Sequence, residues 1–257
     1  MNWRLTSAQF MCLWEATDLD RMPYPLKYRS AAATADQYAI QQRELEQWRS
    51  ALDEPKLVAA IQALRNPHVS VTVLAPSPEL DSGIRRRGSI RGRVAVVAEQ
   101  LRGEPGRGDI RIDAGAESVD GFTAQLLDDL PDCAPGRTPS LTAHPDDIQN
   151  RTTTTSVLQN ARASDGTLLR RIVGRPRTGI GYICIRGARS GLDEPVLGEL
   201  TWIDVEQDGR YLYHQDDRVH LRSATVRVVR DELSKRVSAA LANTSASTSA
   251  NPSPTRG

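Results

Sequence analysis

Cysteine is scarce. Cys12, Cys133 and Cys184 are the only three among 257 residues, they stand far apart, and no C-x-x-C pair occurs. An odd, scattered set supports neither a disulfide framework nor a cysteine zinc site, and it fits a reducing compartment. Charge of one sign is lacking too, since 33 basic residues against 32 acidic ones leave a formal net charge of +1. That balance excludes a general electrostatic grip on nucleic acid or anionic lipid and leaves only local basic patches. Nowhere does an apolar run reach the length of a membrane span, and "MNWRLTSAQFMCLWEATDLD" carries charges where a secretory leader needs unbroken apolar sequence. A cytoplasmic protein without membrane insertion is expected.

Motifs for chemistry are missing as well. There is no G-x-x-x-x-G-K-[ST] for nucleotide phosphates and no G-x-S-x-G nucleophile turn, and the glycines of "TGIGYICIRG" are too few and misplaced for a dinucleotide turn. The cysteines have no obvious histidine partner, and His68 and His144 sit beside prolines at element edges. Neither an enzyme nor a cofactor is expected.

What is present is an ordered series of elements. "WRL" predicts a short strand, followed by a helix that Thr6 or Ser7 caps and that "MPYPL" stops. Helices follow over about 34–52 and between Pro55 and Pro67, and "HVSVTVLA" alternates as a strand does. "PSPELDSGIRRRGSIRG" reads as a polar loop, "RVAVVAEQL" and "DIRIDA" as a hairpin, and "SVDGFTAQLLDDLP" as a short helix. Helix-compatible sequence from about 146 to 172 then leads to the strand "TGIGYICIRG", whose glycines mark a bend or a close backbone contact. The strands "LGELTWIDVE", "RYLYHQ" and "RVHLR" and a final amphipathic helix complete a second pass through the same order. Two pseudo-repeated halves, about 1–130 and 140–242, are expected. Residues 243–257, rich in Ser, Thr, Ala and Pro, cannot offset about 1–2 kcal/mol per residue of backbone ordering and are expected to be a disordered tail.

The densest polar cluster is "LTWIDVEQDGRYLYHQDDRVHL", with Asp204, Glu206, Asp208, Asp216, Asp217, His214 and His220. "DG" between alternating runs predicts a tight turn at Asp208 and Gly209. Val205 then faces Leu212 and Asp204 faces Tyr213. This register puts Ile203, Val205, Leu212 and His214 on one surface and Trp202, Asp204, Glu206, Tyr211 and Tyr213 on the other. His214 points away from the acids, so no acid-base or metal site assembles; a slip of one residue would invert the sorting. Two readings of the aromatic face stay open: a partner-binding surface, or rings packed under the protein's own helices. Arg85, Arg86 and Arg87 offer an alternative as a nucleic-acid or regulatory contact, without the interleaved aromatics that such surfaces carry. An enzyme using the carboxylates and His214 is the other alternative.

"LTSAQFMCLWEATDLDRMPYPL" and "WIDVEQDGRYL", in that order and at that separation, resemble the opening and closing of the EspG family of type VII (ESX) secretion-associated proteins from actinobacteria. The resemblance covers about residues 2–242 and is only an outline over 75–92 and 131–175. It implies an α+β, quasi-twofold fold with a central, largely antiparallel sheet flanked by helical bundles. It also implies a cytosolic chaperone that binds a PE/PPE protein pair at the PPE helical tip and delivers it to the ESX secretion machinery. No catalytic residue and no metal come with the family. Tyr182, Trp202, Asp204, Tyr211 and Tyr213 are the candidate partner-binding residues.

Overall fold

The first helix starts where its capping chemistry directs. Thr6 Oγ1 accepts from Gln9 N at 3.1 Å and Gln9 Oε1 accepts from Thr6 N at 2.9 Å, a reciprocal capping box that opens α1 (Ser7–Glu15). Thr34 caps α2 (Ala35–Ser50) by accepting from Gln37 N at 3.2 Å, and Pro55, whose missing N–H costs nothing in a first turn, begins α3 (Pro55–Arg65). The structure, a computed structural model, describes residues 1–17, 21–76, 83–149, 164–188 and 194–249. The strands of the first half are β1 (Asn2–Leu5), β2 (Val69–Ala75), β3 (Ile84–Arg91), β4 (Val94–Gln100) and β5 (Ile110–Ala114), followed by α4 (Val119–Leu126). The second half holds β6 (Leu141–Ala143), α5 (Pro145–Gln149), α6 (Asp165–Val173), β7 (Arg177–Gly187), β8 (Val196–Val205), β9 (Gly209–Gln215), β10 (Val219–Ser223) and α7 (Val226–Ser249).

Among the described residues, ten strands form one antiparallel sheet in the order β1-β5-β4-β3-β2-β7-β8-β9-β10-β6. Each half thus runs as a meander outward from the centre and closes by laying its first strand outside its last. The β2–β7 pair joins the halves and makes the arrangement quasi-twofold. One face of the sheet is covered by α4 and α7, which also touch each other. Beneath them lies a continuous core that includes Val71, Val73, Val97, Ile183, Ile185, Trp202, Leu212 and Phe122. At about 1.5–3 kcal/mol for each large apolar side chain removed from water, this layer is a principal source of cohesion. Among the described residues, helices cover the opposite face only toward its ends. The helices α1 and α3 lie over the first half, and α6 packs against β6 and β8 at the other end.

Several sequence expectations change here. The arginine-rich stretch is not a loop: Ile84–Arg91 is the strand β3, paired on both sides. Its polar positions hide the strand period because two of its arginines are buried by pairing with acids. Gly88 at its centre is needed for close approach, since a Cβ there would sit 2.6 Å from the Phe122 ring of α4. The three-residue strand β6 was too short to leave any period in the sequence. The stretch from 146 to 172 contains α5 and α6, with 150–163 outside the described residues. The last helix continues to Ser249, past the boundary expected at 242, because small residues extend an existing helix without a new nucleation cost. Residues 250–257, the rest of the expected tail, lie outside the described residues.

Candidate functional site

The β8–β9 hairpin decides which side chains can meet a partner, and its register differs from the sequence expectation. The turn is a three-residue loop, Glu206 to Asp208, with Gln207 at φ +59° and Gly209 at φ +148°. Val205 pairs with Gly209, Asp204 with Arg210, Ile203 with Tyr211, Trp202 with Leu212 and Thr201 with Tyr213. Asp208 is drawn out of the turn centre by contacts distant in sequence. Its carboxylate accepts from Arg137 N (2.9 Å), Arg175 Nη1 (2.5 Å) and Tyr211 Oη (3.1 Å). Burial alone would raise the Asp208 carboxyl, but these donors prevail and hold it below the usual carboxylate range. The shift of register is odd, so Trp202 and Tyr211 point to opposite faces.

Three of the five candidate partner-binding residues are therefore interior. Trp202, 2% exposed, lies over Gly181 of β7 beneath α7; a Cβ on Gly181 would collide with the indole, so the glycine marks close contact and not a bend. Asp204 forms a bidentate pair with Arg210 at 2.6 and 2.8 Å, and Arg210 Nη2 also donates to the Pro131 carbonyl at 2.8 Å. Both members are buried, at 6% and 0% exposure. Tyr211 is fully buried on the other face, where its hydroxyl accepts from Thr138 N at 3.0 Å and donates to Asp208. The second of the two open readings, rings packed inside the protein, describes Trp202 and Tyr211.

Tyr182 and Tyr213 come together differently. Tyr182 pairs with Thr201, and Thr201 pairs with Tyr213 on its other side, so the three form one row across β7, β8 and β9. Leu74 of β2 extends the row beyond Tyr182. This row is on the face away from α7, and all four residues are partly exposed. The Tyr182 hydroxyl donates to Glu199 Oε1, and Tyr213 Oη donates to Gln215 Oε1 at 3.3 Å. Burial, reinforced for Tyr182 by the Glu199 hydrogen bond, raises both phenols above their ordinary range, so they are neutral donors. Val196 and Leu197, at the start of β8, are 50% and 48% exposed. The result is an amphipathic strip suited to binding by shape and hydrogen bonding, with Thr201 as a member that residue type alone did not single out.

The arginines of β3 are engaged elsewhere. Arg86 donates to Glu99 Oε1 at 3.0 and 2.7 Å, to the Leu126 carbonyl at 3.2 Å and to the Asp128 carbonyl, and is 1% exposed. Arg87, 7% exposed, pairs with Glu194 at 2.8 Å. Arg85 Nη1 lies 3.4 Å from the Pro25 carbonyl. Two of the three cations needed for a nucleic-acid contact are thus internal structural pairs. The acidic cluster separates as well. Asp204 and Asp208 are bound internally and Glu206 is exposed in the turn, while Asp216 stands at the next turn with His214 and His220. Contrary to expectation His214 shares the face of Trp202 and Asp204, yet its ring stacks on His220 and not on either acid.

A family model described as the EspG family matches residues 6–245. The chain belongs to the EspG family. Among solved structures, it is similar to the type VII secretion system chaperone EspG5 of Mycobacterium tuberculosis in complex with the PE25–PPE41 dimer. That likeness has 14% sequence identity and a TM-score of 0.61, and covers 91% of this chain and 94% of the other. At that identity the likeness establishes a shared fold, the EspG α+β architecture with its large antiparallel sheet. No curated protein sequence matches the chain. Among the described residues, no helix of this EspG protein is long and apolar enough to cross a membrane.

Proposed function

We propose that this EspG-family chain is a secretion chaperone, not an enzyme, that binds a PE/PPE pair in the cytoplasm and directs it to an ESX machinery. Family membership supports the reading, and the related EspG5 was solved bound to PE25–PPE41. The observation that carries it onto particular residues is the partly exposed row Leu74–Tyr182–Thr201–Tyr213. A helical tip with apolar side chains finds ring faces there to bury against and hydroxyls for its exposed polar groups. Covering such a tip prevents self-association, since each large apolar side chain left in water forgoes about 1.5–3 kcal/mol. An interface of this kind buries about 1,600 Å² in total. Release works by competition from the secretion machinery, through a difference in affinity and without a nucleotide.

The test is co-elution with a purified PE/PPE pair on size exclusion. Wild-type chain is expected to co-elute; the Tyr182→Ala/Tyr213→Ala double variant is expected to elute alone with an unchanged circular dichroism spectrum. Intact co-elution of that variant would remove the tyrosine row from the interface.

A further inference from the structure

At the far end of the β9–β10 hairpin, His214 and His220 face each other across the strands, ring centroids 4.7 Å apart and planes 15° from parallel. Asp216, in the connecting turn, brings Oδ1 to 3.3 Å from His220 Nε2. One ligating atom from each of the three residues lies within 4.8 Å of the others. Thr142 of β6 holds the far side of the His220 ring, its hydroxyl 3.2 Å from Nδ1, which leaves Nε2 directed at Asp216. His214 Nδ1 is buried and has no hydrogen-bond partner among the described residues. The group opens on a cleft of about 370 Å³ between the β6 edge of the sheet and α7.

We propose that His214, Asp216 and His220 form a binding site for a divalent transition-metal ion of the zinc type. Two imidazoles and one carboxylate are the donor set that zinc, cobalt and nickel accept with water in the remaining positions, while magnesium and calcium call for oxygen alone. In a tetrahedral zinc shell with ligand bonds of about 2.0–2.1 Å, neighbouring ligand atoms stand about 3.4 Å apart. Drawing in the 4.8 Å spread takes rotation of the side chains, the stacked rings turning so that their nitrogens converge. The Thr142 hydroxyl plays the orienting part that an outer partner plays at a metal-bound histidine. Burial, then the Arg236 cation, holds the His214 imidazole below its ordinary pKa and so keeps it neutral, as a ligand must be. Arg222, Lys235 and Arg236 line the same cleft and oppose a cation; Glu232 offsets two of them, at 3.0 Å from Arg222 and 2.8 Å from Arg236. The bound ion would tie β9 to β10 and brace the edge of the sheet, apart from the tyrosine row.

The experiment is calorimetric titration of the tag-free full chain with zinc chloride, alongside thermal unfolding with and without the ion. Saturable one-to-one binding and a raised Tm are expected for wild type. His220→Ala and His214→Ala are expected to weaken binding by about 100-fold or more, beyond the 10- to 100-fold typical of outer-shell changes. Asp216→Asn, at an exposed position where folding is not at stake, is expected to weaken it at least about tenfold and to reduce the Tm shift. His144→Ala, which removes a separate exposed histidine paired with Asp146, is expected to change nothing. No saturable binding by wild type, or binding that survives both Asp216→Asn and His220→Ala, would overturn the assignment.

Discussion

The two faces of the central sheet are built to different ends. On one, α4 and α7 cover an apolar layer running from Ala95 of β4 to Leu212 of β9. On the other, the middle is polar: Ser70, Thr72, Arg87 and Ser89 are buried, Arg87 donates to Thr72 and Glu194, and the row of Leu74, Tyr182, Thr201 and Tyr213 stays partly open. The first face makes the fold cohesive, and the second keeps amphipathic side chains available. Residues adjacent in sequence serve opposite purposes, since neighbouring strand positions point to opposite faces. Trp202 is part of the core and Thr201 part of the open row.

This contrast can be broken by exchange of effects between the faces. The largest effects belong to the covered face and its flanking ion pair. Asp204→Ala strands the buried Arg210 charge and is expected to cost about 3–5 kcal/mol in urea unfolding. Trp202→Ala is expected to cost a similar ~3–5 kcal/mol by leaving a cavity under α7. If either variant kept wild-type stability, the division of roles would be wrong. Gly88→Ala comes next, at about 1–3 kcal/mol, because its Cβ must displace the Phe122 ring. Tyr182→Ala and Tyr213→Ala, on the open face, are expected to change unfolding free energy by less than about 1 kcal/mol each, in line with partly exposed positions.

The smallest effect concerns pH. The depressed His214 pKa means that the folded chain binds fewer protons than the unfolded one below an ordinary histidine value of about 6.5. The stability that this contributes is present above that value and is lost as pH falls from it toward the folded pKa. Arg236 and His220 depress the value further, while Glu232 and Asp216 oppose them. His214→Leu is expected to flatten the dependence of unfolding free energy between about pH 7 and 5. An unaltered slope in that variant would assign the effect to other groups.

Much of the sheet was legible because its strands obey local rules. The alternation of Val69, Val71 and Val73 and the paired runs of β4 and β5 identify themselves without tertiary context. What escaped depends on long-range partners. β3 is masked by Arg86 and Arg87, which look like solvent residues until Glu99 and Glu194 are placed beside them. The β8–β9 register turned on Asp208, whose partners Arg137 and Arg175 are 71 and 33 residues away in sequence. A shift there of an odd number of residues moved Trp202 and Tyr211 to different faces, both interior. Residue type singled out five side chains near the hairpin, but only the register could say that Tyr182 and Tyr213 are the two left partly open.

The division of the sheet into a cohesive face and a proposed binding face is tested most directly by measuring the affinity of one purified PE/PPE pair for two variants, Tyr182→Ala/Tyr213→Ala and Trp202→Phe. The account predicts that the tyrosine variant unfolds like wild type yet binds at least about 30-fold more weakly, the loss expected of a 2 kcal/mol interface anchor. It also predicts that the tryptophan variant loses stability while keeping its affinity under conditions in which it is folded. Unchanged affinity in the tyrosine variant, with affinity lost in folded Trp202→Phe, would contradict it.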